Sequence, residues 1–214
     1  MKKNTGTAIL ILAPHTDDGE LGCGGSIHRL IEEGFEVHYV VFSICSRSLP
    51  LNLAPDTLAV EVRQATGRLG IPPNQLHLYD FDVRDFDKNR QAILQTMIDL
   101  RGRIQPEWVF LPSPTDIHQD HQVVSAEGVR AFKHINILGY EMPWNNLAFN
   151  TRYFLEISSK NLAAKIHALE AYQSQAQRPY FRPSFIAGLA ETRGVQMGTQ
   201  YAESFEVIRM VNRL

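Results

Sequence analysis

The chain is poor in cysteine: Cys23 and Cys45 are the only two in 214 residues. No disulfide framework can be built from one pair, and each reads as a small apolar core residue. Charge of one sign is also missing. Lys and Arg total 21 against 23 Asp and Glu, a formal net charge of −2, which leaves no bulk basic field for nucleic acid or an anionic membrane surface. No apolar run approaches the roughly 20 residues of a membrane span. Met1-Lys2-Lys3-Asn4 leads into a strand rather than into the apolar core of a leader peptide, so the expected location is the cytoplasm. Internal repeats and low-complexity tracts are absent. What remains is a 44% apolar chain long enough to bury a full core, read as one α/β domain over residues 1–214.

The most informative stretch runs from Ile9 to Gly25. Ala8 to Leu12 form an apolar run that reads as a strand buried on both faces, and Cys23, Ile27, Leu30 and Ile31 then recur at helical spacing. Between them lies a loop with His15, Asp17, Asp18 and Glu20, a composition suited to a cation at the carboxyl end of a strand. A dinucleotide turn is the usual reading of strand, glycine-rich loop and helix. Here the third glycine of G-x-G-x-x-G would fall at Ile27, and the carboxylates would repel a pyrophosphate. Asp17 with Glu20 could instead form a capping box for the helix, which leaves His15 and Asp18 unexplained.

Further along, Glu36 to Phe42 reads as a second buried strand, with His38 a packed histidine, and Thr57 to Leu69 as a helix. The loop from Ser43 to Asp56 carries Ser46, Arg47 and Ser48 and suits the hydroxyl or phosphate groups of a substrate. Leu76 to Tyr79 is a short strand. Ile93, Met97, Leu100 and Ile104 mark one stripe of a helix that Pro106 ends, and Trp108 to Leu111 a fourth strand. Directly after it come Asp116, His118, Asp120 and His121, with Val123, Val124 and Val129 on the following helix. Four strands alternating with helices predict a Rossmann-like three-layer sandwich. Its mainly parallel sheet takes the order 3-2-1-4-5 plus extra strands. Strands 1 and 4 then lie side by side, and the two polar loops face each other at the topological switch point. Ile137 to Tyr140 and Tyr153 to Ile157 are further strands, followed by a helix capped by Ser158 or Ser159. Tyr172 to Pro183 is a loop that walls the site, Ser184 to Glu191 a last helix, and Glu206 to Val211 a terminal strand.

Two neutral imidazoles and one carboxylate, with a position left for water, make a catalytic zinc site. His15, Asp18 and His121 meet that requirement. Asp17 adjoins a ligand and is available as general base. His118, left over beside His121, can donate to a developing oxyanion or to a leaving amine, with Asp120 orienting an imidazole. The composite is a metal-assisted hydrolase of an amide or ester. A metal-dependent phosphoesterase is the runner-up, although two-metal sites of that kind use more carboxylates. A binding module without catalysis is the reading from another class, and it has no use for Asp17.

Pro14-His15-Thr16-Asp17-Asp18-Gly19-Glu20 resembles the A-H-P-D-D-E signature of the PIG-L/LmbE-like zinc de-N-acetylases, and His118-Gln119-Asp120-His121 resembles their H-x-D-H. Weaker similarities cover Glu61, Ala65 and Leu69-Gly70, then Lys165 to Gln175, and Tyr201 to Phe205. The resemblance implies removal of an acetyl group from an N-acetylglucosamine-type sugar, with zinc on the positions matching His15, Asp18 and His121. Iron or another divalent ion is the alternative in the cell. Asp17 matches the family's general base and His118 its electrophilic or acid histidine. Arg47, Arg63 and Asp116 are the expected substrate contacts. The chain departs from the signature in having Thr16 for proline and Gly19 before the glutamate, which displaces Glu20 by one residue. The expected partner is a small soluble amino sugar, with a homo-oligomer left open.

Overall fold

A computed structural model describes residues 6–50 and 52–212. Met1 to Asn4, the polar lead-in of the sequence, lie outside the described residues. The element order is β1 (Ala8–Ala13), α1 (Asp18–Glu32), β2 (Glu36–Val41), α2 (Thr57–Leu69), β3 (Leu76–Leu78), α3 (Arg90–Ile104), β4 (Trp108–Pro112), α4 (Gln119–Ala131), β5 (Asn136–Tyr140), β6 (Tyr153–Glu156), α5 (Ser159–Leu169), α6 (Pro183–Met197) and β7 (Ala202–Arg209).

The sheet has seven strands in the order β3-β2-β1-β4-β5-β7-β6, which contains the expected 3-2-1-4-5. β1 is parallel to both β2 and β4, with Ile9 opposite Val37 and Trp108. Because side chains alternate along a strand, β1 feeds two cores. Ile9, Ile11 and Ala13 pack with α1, α2, α5 and α6 on one face. Leu10 and Leu12 pack with α3 and α4 on the other. Every residue of β1 is buried, which is why it appears in the sequence as an unbroken apolar run. Among the described residues no helix is long and apolar enough to cross a membrane.

The C-terminal third differs from its sequence reading. β7 covers Ala202–Arg209 and inserts antiparallel between β5 and β6, so the last strand begins four residues earlier than expected. α6 runs on to Met197, beyond the expected end at Glu191. Gly194 looks like a helix breaker in sequence, yet a Cβ there would collide with the Gln200 carbonyl. It is a point of close backbone approach inside the helix, and the helix stops at Gly198, whose φ is +84°.

α1 is not one regular helix. Cys23 has φ −149° and ψ 27°, and the break strands backbone groups on both sides. The Leu21 carbonyl accepts from Lys165 Nζ at 2.8 Å. The Gly25 and Ser26 amides donate to Glu203 at 3.1 and 2.7 Å, and Lys165 and Glu203 are themselves paired at 2.6 Å. All three segments are buried, so this ion pair acts as a splint that satisfies what the kink would orphan. Lys165→Met is expected to destabilise by about 3–5 kcal/mol, since it leaves Glu203 as an uncompensated buried charge. Replacing both partners by apolar residues normally recovers most of such a loss. Here the double variant Lys165→Met/Glu203→Leu should stay destabilised, because three backbone groups lose their partners. Thermal unfolding of the single and double variants tests this; a double variant as stable as the parent would sink the splint reading.

Candidate metal centre

The short loop after β1 turns directly into α1, and Asp18 closes it. One oxygen, Oδ2, accepts the His15 backbone N–H at 2.7 Å and lies 3.1 Å from His15 Nδ1. His121, in the first turn of α4, brings its Nε2 to 3.2 Å from the same oxygen and 3.4 Å from His15 Nδ1. The three atoms form a nearly equilateral triangle. A tetrahedral ion with arms of about 2.0–2.1 Å needs ligand atoms about 3.3–3.4 Å apart, so the donor set suits one small divalent cation.

The outward nitrogens are also engaged. His121 Nδ1 lies 2.7 Å from Asp116 Oδ2, and His15 Nε2 lies 3.0 Å from Asp120 Oδ2. A carboxylate behind each imidazole holds the proton on the far nitrogen and leaves the near one free for a metal. Without a cation the same arrangement favours extra protons. Burial alone would lower both histidines, but the Asp18 charge and the flanking carboxylates raise His15 to about 9 and His121 to about 10. The acids around this point favour positive charge, which a dication would supply in place of two protons. A second triad, His15, His118 and Asp120, also converges. It is poorer, because Asp120 is held by the Arg84 amide at 3.1 and 2.9 Å.

His118 caps α4 with its ring: Nδ1 accepts the Asp120 backbone N–H at 3.2 Å. That nitrogen therefore carries no proton, and in the neutral imidazole Nε2 is the donor. Burial, followed by the charges of His121 and His15, pushes the pKa of His118 down to about 4. It is a neutral N–H donor at physiological pH. Asp17 is half-buried and among the described residues bonds no other side chain, and as N-cap residue of α1 it makes no side-chain cap. Burial and then the Asp18 charge raise it to about 6, against lowering by His15 and Arg178. The capping box is not formed. Glu20 turns into the core, where it accepts from the Tyr39 hydroxyl and from the Tyr172 hydroxyl at 3.0 Å. Tyr172 also bonds the Thr16 carbonyl at 2.7 Å, so Glu20 and the two phenols brace the loop from beneath.

These groups form the floor of a cavity of about 620 Å³ lined by His15, Asp17, Asp18, His118 and His121. Three residues expected at the substrate lie elsewhere. Asp116 is buried behind His121 and also accepts the His118 amide at 2.8 Å. Arg47 is exposed and paired with Asp82 at 2.8 Å, and Arg63 is exposed on α2, donating to its own helix at Ala59. Neither arginine lines the cavity. The wall expected from Tyr172 to Pro183 is there, through Ser174, Gln175, Gln177, Arg178 and Tyr180. Arg84, Trp144 and Asn145, which carried no signal in the sequence, line it too, as do Cys45, Ser48, Leu49 and Pro50 of the loop expected at a substrate.

A Rossmann-like sheet with a two-histidine, one-aspartate cluster at its switch point is an α/β fold whose crevice offers a group able to hold a small divalent cation. The chain belongs to the PIG-L: GlcNAc-PI de-N-acetylase family, whose model matches residues 10–132 and so spans both polar loops. It is 30% identical to the uncharacterized deacetylase YaiS of Escherichia coli K12 over 80% of this chain and 93% of that one. It is 24% identical to the diacetylchitobiose deacetylase of Thermococcus kodakarensis over 94% of this chain and 82% of the relative. Among solved structures, the conserved protein TT1542 from Thermus thermophilus superposes with a TM-score of 0.78 at 26% identity, covering 96% of both chains.

Proposed function

We propose that this protein is a zinc-dependent N-deacetylase acting in the cytoplasm on an N-acetylglucosamine-type sugar. One observation carries the reading: His15 Nδ1, Asp18 Oδ2 and His121 Nε2 converge at the cavity floor beside the Asp17 carboxylate, which bonds no other side chain among the described residues. His15, Asp18 and His121 would hold the ion, and Asp116 and Asp120 would keep the two imidazoles in their ligating tautomers. A divalent ion bound there would supply Lewis-acid polarisation of the acyl oxygen and lower the pKa of a water. Asp17 takes a proton from the attacking water as the water adds to the acyl carbon. His118, neutral and with its proton on Nε2, donates to the oxyanion as it forms. The C–N bond then breaks, and the proton held by Asp17 passes to the leaving nitrogen to give a free amine and acetate. The relative named for diacetylchitobiose supports an acetylated amino sugar as substrate class.

Elemental analysis of the purified protein should find one tightly held divalent ion per chain. A fluorescent amine assay over N-acetylglucosamine, its methyl glycoside and N,N′-diacetylchitobiose should find equal yields of amine and acetate. Phosphate release from sugar phosphates with no amine would move the protein to the phosphoesterases.

A further inference from the structure

Glu61 stands on α2 between Leu58 and Val62, both packed in the core, and is itself only 7% exposed. Three other buried glutamates carry a cation: Glu127 has Arg90 and Arg130, Glu141 has Arg193, and Glu203 has Lys165. Glu61 has no ion pair among the described residues. Its two oxygens are taken by one residue: Oε1 accepts the Ser174 backbone N–H at 2.9 Å, and Oε2 the Ser174 hydroxyl at 2.6 Å. Burying a carboxylate against neutral donors is costly. What it does there, and an amide would not, is accept at both oxygens.

Ser174 lies in the short turn Gln173–Gln175. Tyr172, just before the turn, bonds the Thr16 carbonyl of the metal loop, and Gln175, Gln177 and Tyr180 line the cavity. Because Glu61 only accepts, the Ser174 hydroxyl points its proton at Oε2. Its oxygen is then an acceptor for Gln175 Nε2, 3.1 Å away. That fixes the Gln175 amide, with the nitrogen toward Ser174 and the carbonyl oxygen left as an acceptor for the cavity. With an amide at position 61 the hydroxyl could accept from it instead, and the direction of the chain would no longer be set. The wall beyond the turn follows it, since Tyr180 stacks on Trp144 at 4.1 Å and 9°.

Resting on the deacetylase reading of the floor, we propose that Glu61 is a positioning residue for the reaction. Through Ser174 it ties the turn to α2 and fixes the Gln175 carbonyl as an acceptor for a hydroxyl of the substrate. Glu61 does not line the cavity, so its effect on the substrate passes through these two residues.

The test uses metal-loaded protein with methyl N-acetyl-β-glucosaminide as substrate. A second readout needs no turnover: Trp108→Phe leaves Trp144 as the single indole, and its emission reports the wall. Glu61→Gln, Ser174→Ala and Gln175→Leu should each raise KM about ten-fold, the worth of one hydrogen bond. Their kcat should stay nearly unchanged, the pattern of lost uniform binding. Adding Glu61→Gln to Gln175→Leu should raise KM no further, because the two act in series. Ser174→Thr keeps the hydroxyl and should recover most of the KM lost in Ser174→Ala. Trp144 emission should move to longer wavelength in Glu61→Gln and Ser174→Ala and return in Ser174→Thr, with the folding of each variant checked by thermal unfolding. A parental KM or a parental Trp144 emission in Glu61→Gln and Ser174→Ala overturns the proposal. So do additive losses in the double variant, equal losses in Ser174→Ala and Ser174→Thr, or a lower melting temperature and kcat at constant KM. If the parent itself releases no amine, the deacetylase reading fails, and the emission of the same variants still decides whether Glu61 holds the wall.

Discussion

Asp17→Asn is expected to lower kcat by about 10²–10⁴, the usual worth of a positioned general base, with the metal content unchanged. The two adjacent aspartates are chemically identical, and the structure separates them by partner. Asp18 Oδ2 contacts both imidazoles, whereas Asp17 lines the cavity and bonds no other side chain among the described residues. The pH–rate profile adds a second readout. Burial and the Asp18 charge hold Asp17 up at about 6, and a cation alongside favours its ionised form. The acid limb of the profile should therefore fall at about pH 6 or below, with activity lost as Asp17 becomes protonated, and it should vanish in Asp17→Asn. A variant that is fully active with metal bound would show that the proton goes elsewhere; one that loses metal would make Asp17 a ligand.

The metal-binding prediction is of similar size. Asp18→Asn should weaken metal affinity by more than roughly 100-fold, since loss of an outer carboxylate alone costs about 10–100-fold and Asp18 supplies the shared inner oxygen. Asp116→Asn should fall in that smaller range, because it replaces the charged acceptor that holds the His121 proton on Nδ1 by a neutral amide. Competition against a calibrated chelator measures both. If Asp18→Asn retains the parental affinity while Asp120→Asn does not, the second triad of His15, His118 and Asp120 is the true site.

Much of this architecture is legible in residue order. A strand buried on both faces has no alternative to a continuous apolar run, so β1 and β4 stand out, and crossover handedness then sets them side by side. His15 and Asp18 share one loop, and His118 and His121 one helix start. Their residue types therefore suit a cation before any contact is known. The bracing role of Glu20 is not legible, because its partners are Tyr39 and Tyr172, the second 152 residues away in the chain.

The sequence by itself determined the alternation of elements, the sheet order through strand 5, and the two loops that carry the ligand types. These depend on periodicity and on chirality, which are local or general to all chains. The tertiary structure alone decided the direction in which each side chain points and which distant segment meets it. It placed Asp116 behind His121 instead of at the substrate, and set β7 antiparallel between β5 and β6. It splinted the kink at Cys23 with Lys165 and Glu203, and it brought Arg84 and Arg178 into the wall of one cavity. Each of these rests on contacts between residues far apart in sequence, or on a rotamer and backbone angle such as φ +70° at Arg84. The free energy that selects them comes from satisfying buried polar groups once the core has packed, and no window of neighbouring residues contains that information.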